Sequence, residues 1–488
     1  MAGLKARHAK SSQAISIAMR QDMNRREFLL GSAAATGAAG LGGYSMAANP
    51  QELVIQPARF ALRDQVTTGM VSLSPDAPPP VLYGRQGEIM RLPVRNTLPE
   101  YTAMHWHGLR IPNEMDGVPY LTQMPIGSDE VFGYTFTPPD AGTYWYHPHC
   151  MTMEQMAHGL TGVMVIAEAE DPGFDGEQVI NLRDFRLDDE DQFLPAYTQR
   201  GAARAGTFGN VQTANWLDAP IYDHTAGGLV RLRVVNSDTT RIYKLHLQGA
   251  EARIIAWDGH PVEIDLAMPS ADAPLLVGPG QRVDFAVAMP GVEGQTVDLM
   301  AKLPGQPHRA MAQLRATGTS SARDLRELRP LAPNPVAKPD LANAELHEFV
   351  FGWTPEGGEP INGFCGSLGY NFWSINRKPW PGDAAQGLGP LATLEMGKSY
   401  VLRLRNESPN LHPIHLHGLA FVPLKSNQRT LPPLMTDTML LLKDEVVEIA
   451  LVADNPGDWA FHCHVIEHQK TGLTGFIRVV RGGKRTVL

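Results

Sequence analysis

The sequence has few of the residues that mark several common protein classes. Only three of its 488 residues are cysteine, which excludes a scaffold held together by many disulfides. Charged residues make up 19% of the chain and the net charge is -9, so a basic surface for nucleic acid is not predicted. Beyond the N-terminal region no apolar run is long enough to cross a bilayer, so we expect no stable membrane association of the mature chain.

The residues that are abundant are typical of a loop-rich β protein. The chain contains 47 glycines and 39 prolines, and its strand-like runs are separated by turns rich in these two residues. A chain of this length has room for two to four domains. We therefore predict an all-β fold of Greek-key sandwiches or barrels, with one short helix at 322–328.

The N-terminus has the features of an export signal. Basic residues lead to the pair Arg25-Arg26, which precedes Phe28, Leu29 and a mildly apolar run that contains several glycines. This order is typical of a twin-arginine signal. An ordinary secretory signal or a membrane anchor is the alternative, although the glycines make the run a poor spanning helix. We predict a signal peptide at 1–48 and a periplasmic mature protein that begins near Ala48.

Three segments of the chain resemble one another. Each contains a strand-like run that ends in asparagine, at Asn96, Asn236 and Asn406. The residues nine and eleven positions later lie on one face of a strand, because successive side chains alternate. These positions hold histidines in the first and third segments and leucines in the second, namely His105 and His107, His415 and His417, and Leu245 and Leu247.

The repeat predicts three domains, at 49–168, 169–335 and 336–488. The middle domain has no paired-histidine strand, so we expect it to provide spacing and packing. His246 is out of phase with the leucine pair and is interpreted as a structural residue.

A second repeat links only the first and third segments. The run 141–149 is similar to 456–464, and Gly-Leu-Thr-Gly follows each of them. In a strand, His462 and His464 would face one way and Cys463 the other, so a short stretch would serve two metal sites. A single zinc site uses the same ligand types and is the simpler alternative, but the chain supplies far more histidine than one zinc can use.

Ten of the 17 histidines fall into four clusters. Their members are His105 and His107; His147 and His149; His412, His415 and His417; and His462, His464 and His468. One His-x-His pair is weak evidence for a metal, whereas four clusters in two related segments are strong evidence. A thiolate with two imidazoles is the ligand set of blue copper sites, so copper is the predicted metal.

The four motifs are His-Trp-His-Gly, His-Pro-His, His-Pro-Ile-His-Leu-His-Gly and His-Cys-His-x-x-x-His. They resemble those of the multicopper oxidases, the family that includes laccases and bacterial cuprous oxidases. The resemblance covers everything after the predicted signal. It implies three cupredoxin domains and four copper ions, one of type 1, one of type 2 and two of type 3.

The resemblance also assigns ligands by motif. The type 1 site would be held by His412, Cys463 and His468, with Leu473 at the axial position, where leucine cannot coordinate. The type 2 ligands would be His105 and His415. The six type 3 ligands would be His107, His147, His149, His417, His462 and His464.

The implied activity is the one-electron oxidation of a small reducing substrate at type 1 copper. Electrons would pass through Cys463 to His462 and His464, and O2 would be reduced to water. Since that reduction consumes protons, carboxyl groups are expected nearby. Asp116 matches an acidic residue that the family keeps beside the oxygen site, although an aspartate before glycine is also an ordinary turn residue.

Several features leave alternatives open. Bacterial relatives often carry glutamate where this chain has Gln469, which leaves Glu467 as a possible second proton source. Cys150 and Cys365 are able to pair in an oxidising compartment, but the sequence does not fix their distance. Thioethers suit cuprous copper, yet the methionines that follow Cys150 are interpreted as core residues, namely Met151, Met153 and Met156.

The favoured hypothesis is a laccase-like oxidase of phenolic or aromatic substrates. A cuprous or metal-ion oxidase in copper tolerance would share every ligand, and a copper-binding resistance protein without turnover is a third alternative. The sequence does not identify the reducing substrate, which depends on loops over His412 and His468 such as 425–434. The resemblance implies that the eight type 2 and type 3 ligands share one pocket where the first and third domains meet. The oligomeric state is also open, although one chain can supply all eight of these ligands.

Overall fold

The computed structural model describes residues 52–303, 305–355, 363–382 and 388–482. The predicted signal at 1–48 lies outside these residues. Within them strands predominate, which confirms the all-β prediction. The described helices are the α-helices Thr152–Ala157 (α1), Gln199–Ala202 (α2) and Ile466–Lys470 (α3), and the 3-10 helices Asn113–Met115 and Leu325–Glu327. None of the described helices is long and apolar enough to cross a membrane.

The helix predicted at 322–328 is shorter than expected. Only Leu325–Glu327 is helical, as a 3-10 turn. The Asp324 side chain accepts a hydrogen bond from the Arg326 amide, and Glu327 reaches back to the Asp324 amide, so a capping box starts the turn at Asp324. Leu328 is already extended, and the turn ends there.

Two sheets form the first third of the described chain. Their strands are Leu53–Phe60 (β1), Thr67–Ser72 (β2), Leu82–Arg85 (β3), Met90–Asn96 (β4), Met104–His107 (β5), Val131–Phe136 (β6), Gly142–Pro148 (β7) and Gly162–Ala167 (β8). The strand orders are β2-β1-β4-β6 and β3-β8-β7-β5. One apolar core draws on both sheets, for example Val94 and Tyr134 from the first and Trp106 and Tyr144 from the second. The two sheets therefore pack as a sandwich.

The middle third has the same two-sheet plan. Its strands are Gly176–Phe185 (β9), Val211–Ala214 (β10), Ile221–Thr225 (β11), Leu229–Asn236 (β12), Tyr243–Gln248 (β13), Ala252–Trp257 (β14), His260–Pro261 (β15), Leu275–Val277 (β16), Arg282–Ala288 (β17), Thr296–Lys302 (β18) and His308–Thr317 (β19). The orders are β10-β9-β12-β17-β14-β15 and β11-β19-β18-β13-β16. Leu245 is buried in this core, and the His246 ring contacts His308.

The last third repeats the plan again. Its strands are Glu345–Trp353 (β20), Trp373–Ile375 (β21), Ala392–Glu395 (β22), Ser399–Asn406 (β23), His412–Leu416 (β24), Val422–Ser426 (β25), Thr438–Leu441 (β26), Val446–Val452 (β27), Gly457–Cys463 (β28) and Thr474–Val480 (β29). The orders are β21-β20-β23-β27-β25 and β22-β29-β28-β24-β26. The three sheet pairs fall within 53–167, 176–317 and 345–480, and the domain boundaries stay a prediction.

The strands of the sequence repeat occupy equivalent places. Each of β4, β12 and β23 pairs in parallel with the first strand of its third and antiparallel with β6, β17 or β27. At the end of each strand, the asparagine amide donates to backbone carbonyls, for Asn96 those of Glu100, Ile126 and Gly127. Asn236 and Asn406 make the same kind of contact. This turn leads into β5, β13 and β24, so it fixes where the paired histidines or leucines of each third lie.

A disulfide joins the first and last thirds. Cys150 and Cys365 lie 215 residues apart in sequence and are bonded to each other, whereas Cys463 is a free, buried thiol. Cys150 directly follows His149, and Cys365 lies between β20 and β21. The bond therefore ties a histidine of the first third to a loop of the last third.

Replacing Cys150 and Cys365 together by serine is expected to lower the free energy of unfolding by about 2–4 kcal/mol, because a long loop is no longer closed in the unfolded chain. Denaturant titration measures the difference. A reductant should destabilise the wild type by the same amount and leave the double variant unaffected. Titration of three thiols in the unreduced, denatured protein would contradict the pairing.

Candidate metal centre

The alternation of β28 separates two groups of ligand-type side chains. Cys463 Sγ lies 3.4 Å from His412 Nδ1 and 3.6 Å from His468 Nδ1. The neighbouring His462 faces the other way, and its Nε2 is 3.0 Å from His417 Nε2. The first group, His412, Cys463 and His468, is called the thiolate cluster below. The second, called the histidine cluster, comprises His105, His107, His147, His149, His415, His417, His462 and His464.

The thiolate cluster is fully enclosed. All three of its side chains have no exposed surface, and the two Nδ1 atoms are 3.1 Å apart. The ring nitrogens that face away from Cys463, called the outer nitrogens, are already hydrogen-bonded. His412 Nε2 is bonded to the Ser408 hydroxyl at 2.8 Å and His468 Nε2 to the Arg204 carbonyl at 2.6 Å. Those contacts leave both Nδ1 lone pairs directed at the sulfur, as a metal would require.

The pKa values of the thiolate cluster show that burial favours the neutral form of all three side chains. Burial raises the pKa of the Cys463 thiol and lowers the pKa of His468 to about 4. The imidazoles are therefore neutral, which is the form that binds metal. A copper ion in this position would keep the sulfur ionised, and a thiolate with two imidazoles is the donor set of blue copper.

Leu473 belongs to the same apolar core as Cys463 and is fully buried. Its carbonyl accepts a hydrogen bond of 3.0 Å from the Cys463 amide, and its own amide donates to the His468 carbonyl. The backbone therefore holds Leu473 next to both residues, and its side chain offers no donor atom to a metal.

The histidine cluster forms where two strands from opposite ends of the chain face each other. The rings of His105 and His417 stack with centroids 3.9 Å apart, and those of His107 and His415 stack at 3.8 Å. The second repeat closes the cluster, with His147 and His149 on or next to β7 and His462 and His464 on or next to β28. The structure thus brings together all eight histidines that the sequence predicted to share one pocket.

Three groups of nitrogens within the histidine cluster are close enough to share a metal ion. The donor atoms of each group lie within 4.8 Å of one another, and the groups are His105, His107 and His415; His107, His147 and His464; and His149, His417 and His462. Several of these nitrogens are buried without a hydrogen-bond partner among the described residues, including His105 Nε2, His107 Nδ1, His147 Nε2 and His415 Nε2. Unpaired buried polar atoms are costly, and copper ions would satisfy them. The ligand assignments themselves stay a prediction.

Backbone carbonyls orient the rings of the histidine cluster. The Nδ1 atom of His105 donates to the Asp116 carbonyl at 2.7 Å, and that of His415 to the Asp437 carbonyl at 3.0 Å. His147 and His462 make the same bond to the carbonyl of the next residue. Each bond uses the Nδ1 proton and leaves the lone pair on Nε2, so the tautomers suit metal binding.

Two buried carboxylates contact the histidine cluster. Asp116 Oδ2 accepts a hydrogen bond of 2.9 Å from His417 Nδ1, and Oδ1 is 3.3 Å from His105 Nδ1. Asp116 was predicted from the sequence. Asp437 was not: its Oδ1 is 3.2 Å from His107 Nε2, which leaves the other nitrogen of His107 directed into the cluster.

Asp437 is held by an arginine of the middle third. Arg282, which is fully buried, donates to both carboxylate oxygens of Asp437 at 2.9 and 2.8 Å. Burial opposes ionisation of Asp437, but the Arg282 guanidinium holds its pKa well below the usual range. Neither residue lies in a motif, and only the tertiary fold brings them to His107, so no local signal in the sequence identifies them.

The structure separates the two candidates for a second proton source. Gln469 Nε2 lies 3.2 Å from His149 Nε2, so this position does border the histidine cluster. Glu467 instead points to the middle third, where Oε2 accepts a hydrogen bond of 2.6 Å from the Thr207 amide. Burial raises the pKa of Glu467 to about 7. Glu467 therefore does not take the place of the missing glutamate.

Comparison with known proteins agrees with this geometry. Two family models described as multicopper oxidase match residues 55–171 and 368–482. The solved multi-copper oxidase from Pseudomonas thermotolerans is 39% identical, with a TM-score of 0.79, over 88% of this chain and 99% of that one. Multicopper oxidase MmcO from Mycobacterium tuberculosis is 28% identical, over 86% of this chain and 85% of its own. Laccase-2 from Fomitopsis schrenkii is 26% identical, over 81% of this chain and 83% of its own.

The fold and the two clusters define a copper-dependent oxidoreductase of cupredoxin-like architecture that uses O2 as electron acceptor. The chain belongs to the multicopper oxidase family. A model of twin-arginine signal sequences matches residues 22–42, which confirms the predicted export route and supports a periplasmic location.

Asp116→Asn is expected to slow O2 reduction by about a hundredfold, because a positioned acid is lost while the amide keeps its shape. Copper content should stay full, since the amide oxygen can still accept from His417. Oxygen uptake with excess reductant and metal analysis measure the two quantities. Glu467→Gln is the matched control, a buried carboxyl that faces away and should leave the rate unchanged. Normal turnover in Asp116→Asn would remove Asp116 from the reaction.

Proposed function

We propose that the protein is a laccase-like oxidase that takes single electrons from phenolic or aromatic donors. The thiolate cluster would hold type 1 copper, His105 and His415 type 2 copper, and the other six members of the histidine cluster the type 3 pair. Copper would supply the one-electron redox chemistry and the binding of O2. The partners would be O2 and a small reducing donor, and the three sheet pairs would be cupredoxin domains at 49–168, 169–335 and 336–488.

The observation that carries the proposal is the pair of enclosed clusters on either side of one strand. Cys463 belongs to the first cluster, and its neighbours His462 and His464 belong to the second. An electron that reaches the sulfur is therefore a few covalent bonds from the histidine cluster. Both clusters are shielded from water, which favours complete reduction of O2 over release of partly reduced products.

The surroundings of the thiolate cluster favour an aromatic donor over a cuprous ion. Trp373 packs against both histidines, with ring centroids 5.0 Å from His412 and 4.6 Å from His468. Met153 and Met156, which would offer thioethers to cuprous copper, are fully buried in a separate core around Trp145.

The loop 425–434, which the sequence suggested as a cover of the type 1 site, has another neighbour. Arg429, Leu431 and Leu434 line a largely apolar cleft of about 300 Å³ together with Ile254 and Trp257 of the middle third. The group that contacts the outer nitrogen of His468 is instead the Arg204 carbonyl. Donor selection at this site therefore involves the middle third.

Steady-state oxygen uptake with a panel of donors tests the proposal. The wild type should oxidise phenols such as guaiacol faster than Cu(I), with one O2 consumed per four electrons and no peroxide released. Cys463→Ser, which removes the thiolate with little change in size, should lose both the blue absorption band and turnover. Faster oxidation of Cu(I) would identify a metal-ion oxidase. Full copper loading without oxygen uptake would identify a copper-binding resistance protein.

Leu473→Met is expected to lower the reduction potential of the thiolate site, because a thioether at the axial position donates electron density that leucine cannot. Redox titration of the blue absorption band measures the change. Leu473→Ile, which changes shape without adding a donor atom, is the control for altered packing. An unchanged potential in Leu473→Met would show that residue 473 does not face the metal.

A further inference from the structure

A donor in solution cannot touch the histidines of the thiolate cluster. His412 and His468 have no exposed surface. The outer nitrogen of His468 donates to the Arg204 carbonyl at 2.6 Å, and that of His412 is bonded to Ser408. Direct hydrogen bonding of a phenol to either ring would require displacement of protein groups, so another contact with the outside is needed.

Trp373 fills the space next to both histidines. Its ring centroid is 5.0 Å from that of His412 and 4.6 Å from that of His468. The indole N–H donates to the Ala202 carbonyl at 2.7 Å, and the side chain has no exposed surface. The hydrogen bond and the packing hold this ring in a single position against the cluster.

Trp353 continues the aromatic contact to the surface. It is the direct cross-strand neighbour of Trp373 in the pairing of β20 with β21. The two rings are stacked, with centroids 5.9 Å apart and planes inclined by 30°. Trp353 is 48% exposed, so one indole links solvent to a buried indole that touches the thiolate cluster.

We propose that Trp353 is the docking site for a planar aromatic donor, and that Trp353 and Trp373 together form its electron path to the thiolate cluster. The inference rests on the proposed laccase-like function and names where its donor binds. A phenol stacked on Trp353 loses one electron and its hydroxyl proton. The proton goes to solvent, the electron crosses the two indoles to the cluster, and O2 is the final acceptor.

The chemistry of an exposed indole defines the donor class. Its face is apolar and electron-rich, so it binds other aromatic rings by offset stacking and gains little from a hydrated inorganic ion. Single exposed aromatic residues are common and carry no meaning by themselves. Phe364 is such a residue, 55% exposed and stacked on Tyr101 at 4.4 Å. Trp353 differs because the ring behind it contacts His412 and His468.

The test compares Trp353→Ala, Trp353→Phe and Phe364→Ala as copper-loaded proteins. Loss of one aromatic contact in Trp353→Ala is expected to lower kcat/KM for guaiacol about five- to tenfold. Trp353→Phe should keep most of the wild-type value, because a phenyl ring still stacks. Phe364→Ala should match the wild type. The reduction potential of the blue site should be the same in all four proteins, since Trp353 does not contact the histidines.

Two further measurements do not depend on turnover. Saturation-transfer NMR with para-nitrophenol, a planar phenol that is hard to oxidise, should show binding that is weakened in Trp353→Ala and kept in Trp353→Phe. Under anaerobic stopped-flow conditions, guaiacol should bleach the blue absorption band more slowly in Trp353→Ala by the same factor as kcat/KM.

The outcomes separate this inference from the proposed function. Unchanged para-nitrophenol binding and unchanged bleaching in Trp353→Ala would overturn the docking site even if phenols are good substrates. An equal loss in Phe364→Ala would overturn it as well. A wild type that oxidises Cu(I) but no phenol would overturn the proposed donor class and, with it, the role of Trp353 as a donor site, even if Trp353 binds para-nitrophenol.

Discussion

The structure depends on the stacking of two histidine pairs that come from opposite ends of the chain. His105 lies on His417 and His107 on His415, so β5 and β24 must meet face to face. Such close packing requires neutral rings. Burial provides this condition, because it lowers the pKa of His107 and His417 well below the usual range, and the neighbouring rings lower it further. The neutral rings then offer lone pairs that only a metal ion can use.

The middle third, which has leucines in place of the paired histidines, supports both clusters through single contacts. Arg282 holds Asp437, which orients His107 and His415. At the thiolate cluster, the carbonyls of Ala202 and Arg204 fix Trp373 and His468. The expectation that this third provides only spacing and packing is therefore too narrow. Its loops and Arg282 orient side chains of both clusters, although its own strands carry leucines at the positions where the other thirds carry paired histidines.

The parts of the site that could be predicted from the sequence are those set by local geometry. Strand alternation places His462 and His464 on the face opposite Cys463. The turn at the asparagine fixes the number of residues between Asn96 and His105. Contacts such as Arg282 with Asp437 could not be predicted, because 155 residues separate them and neither lies in a repeat. The partner of Cys150 was equally open. Such pairings follow from how the thirds pack on one another, which periodicity and spacing do not determine.

In the proposed function, the enclosure of both clusters favours chemistry that proceeds by single electrons. None of the members of the thiolate cluster has exposed surface, so a donor in solution could not bond to a metal held there and would transfer only an electron. An electron can be transferred through packed side chains and peptide bonds, whereas a donor molecule cannot pass through them. In the proposed function, the placement of Cys463 and His462 on opposite faces of β28 would separate the site where electrons enter from the site of O2 reduction by the thickness of one strand. The same strand alternation that builds the sheet would then keep the proposed oxygen chemistry away from the site where electrons enter.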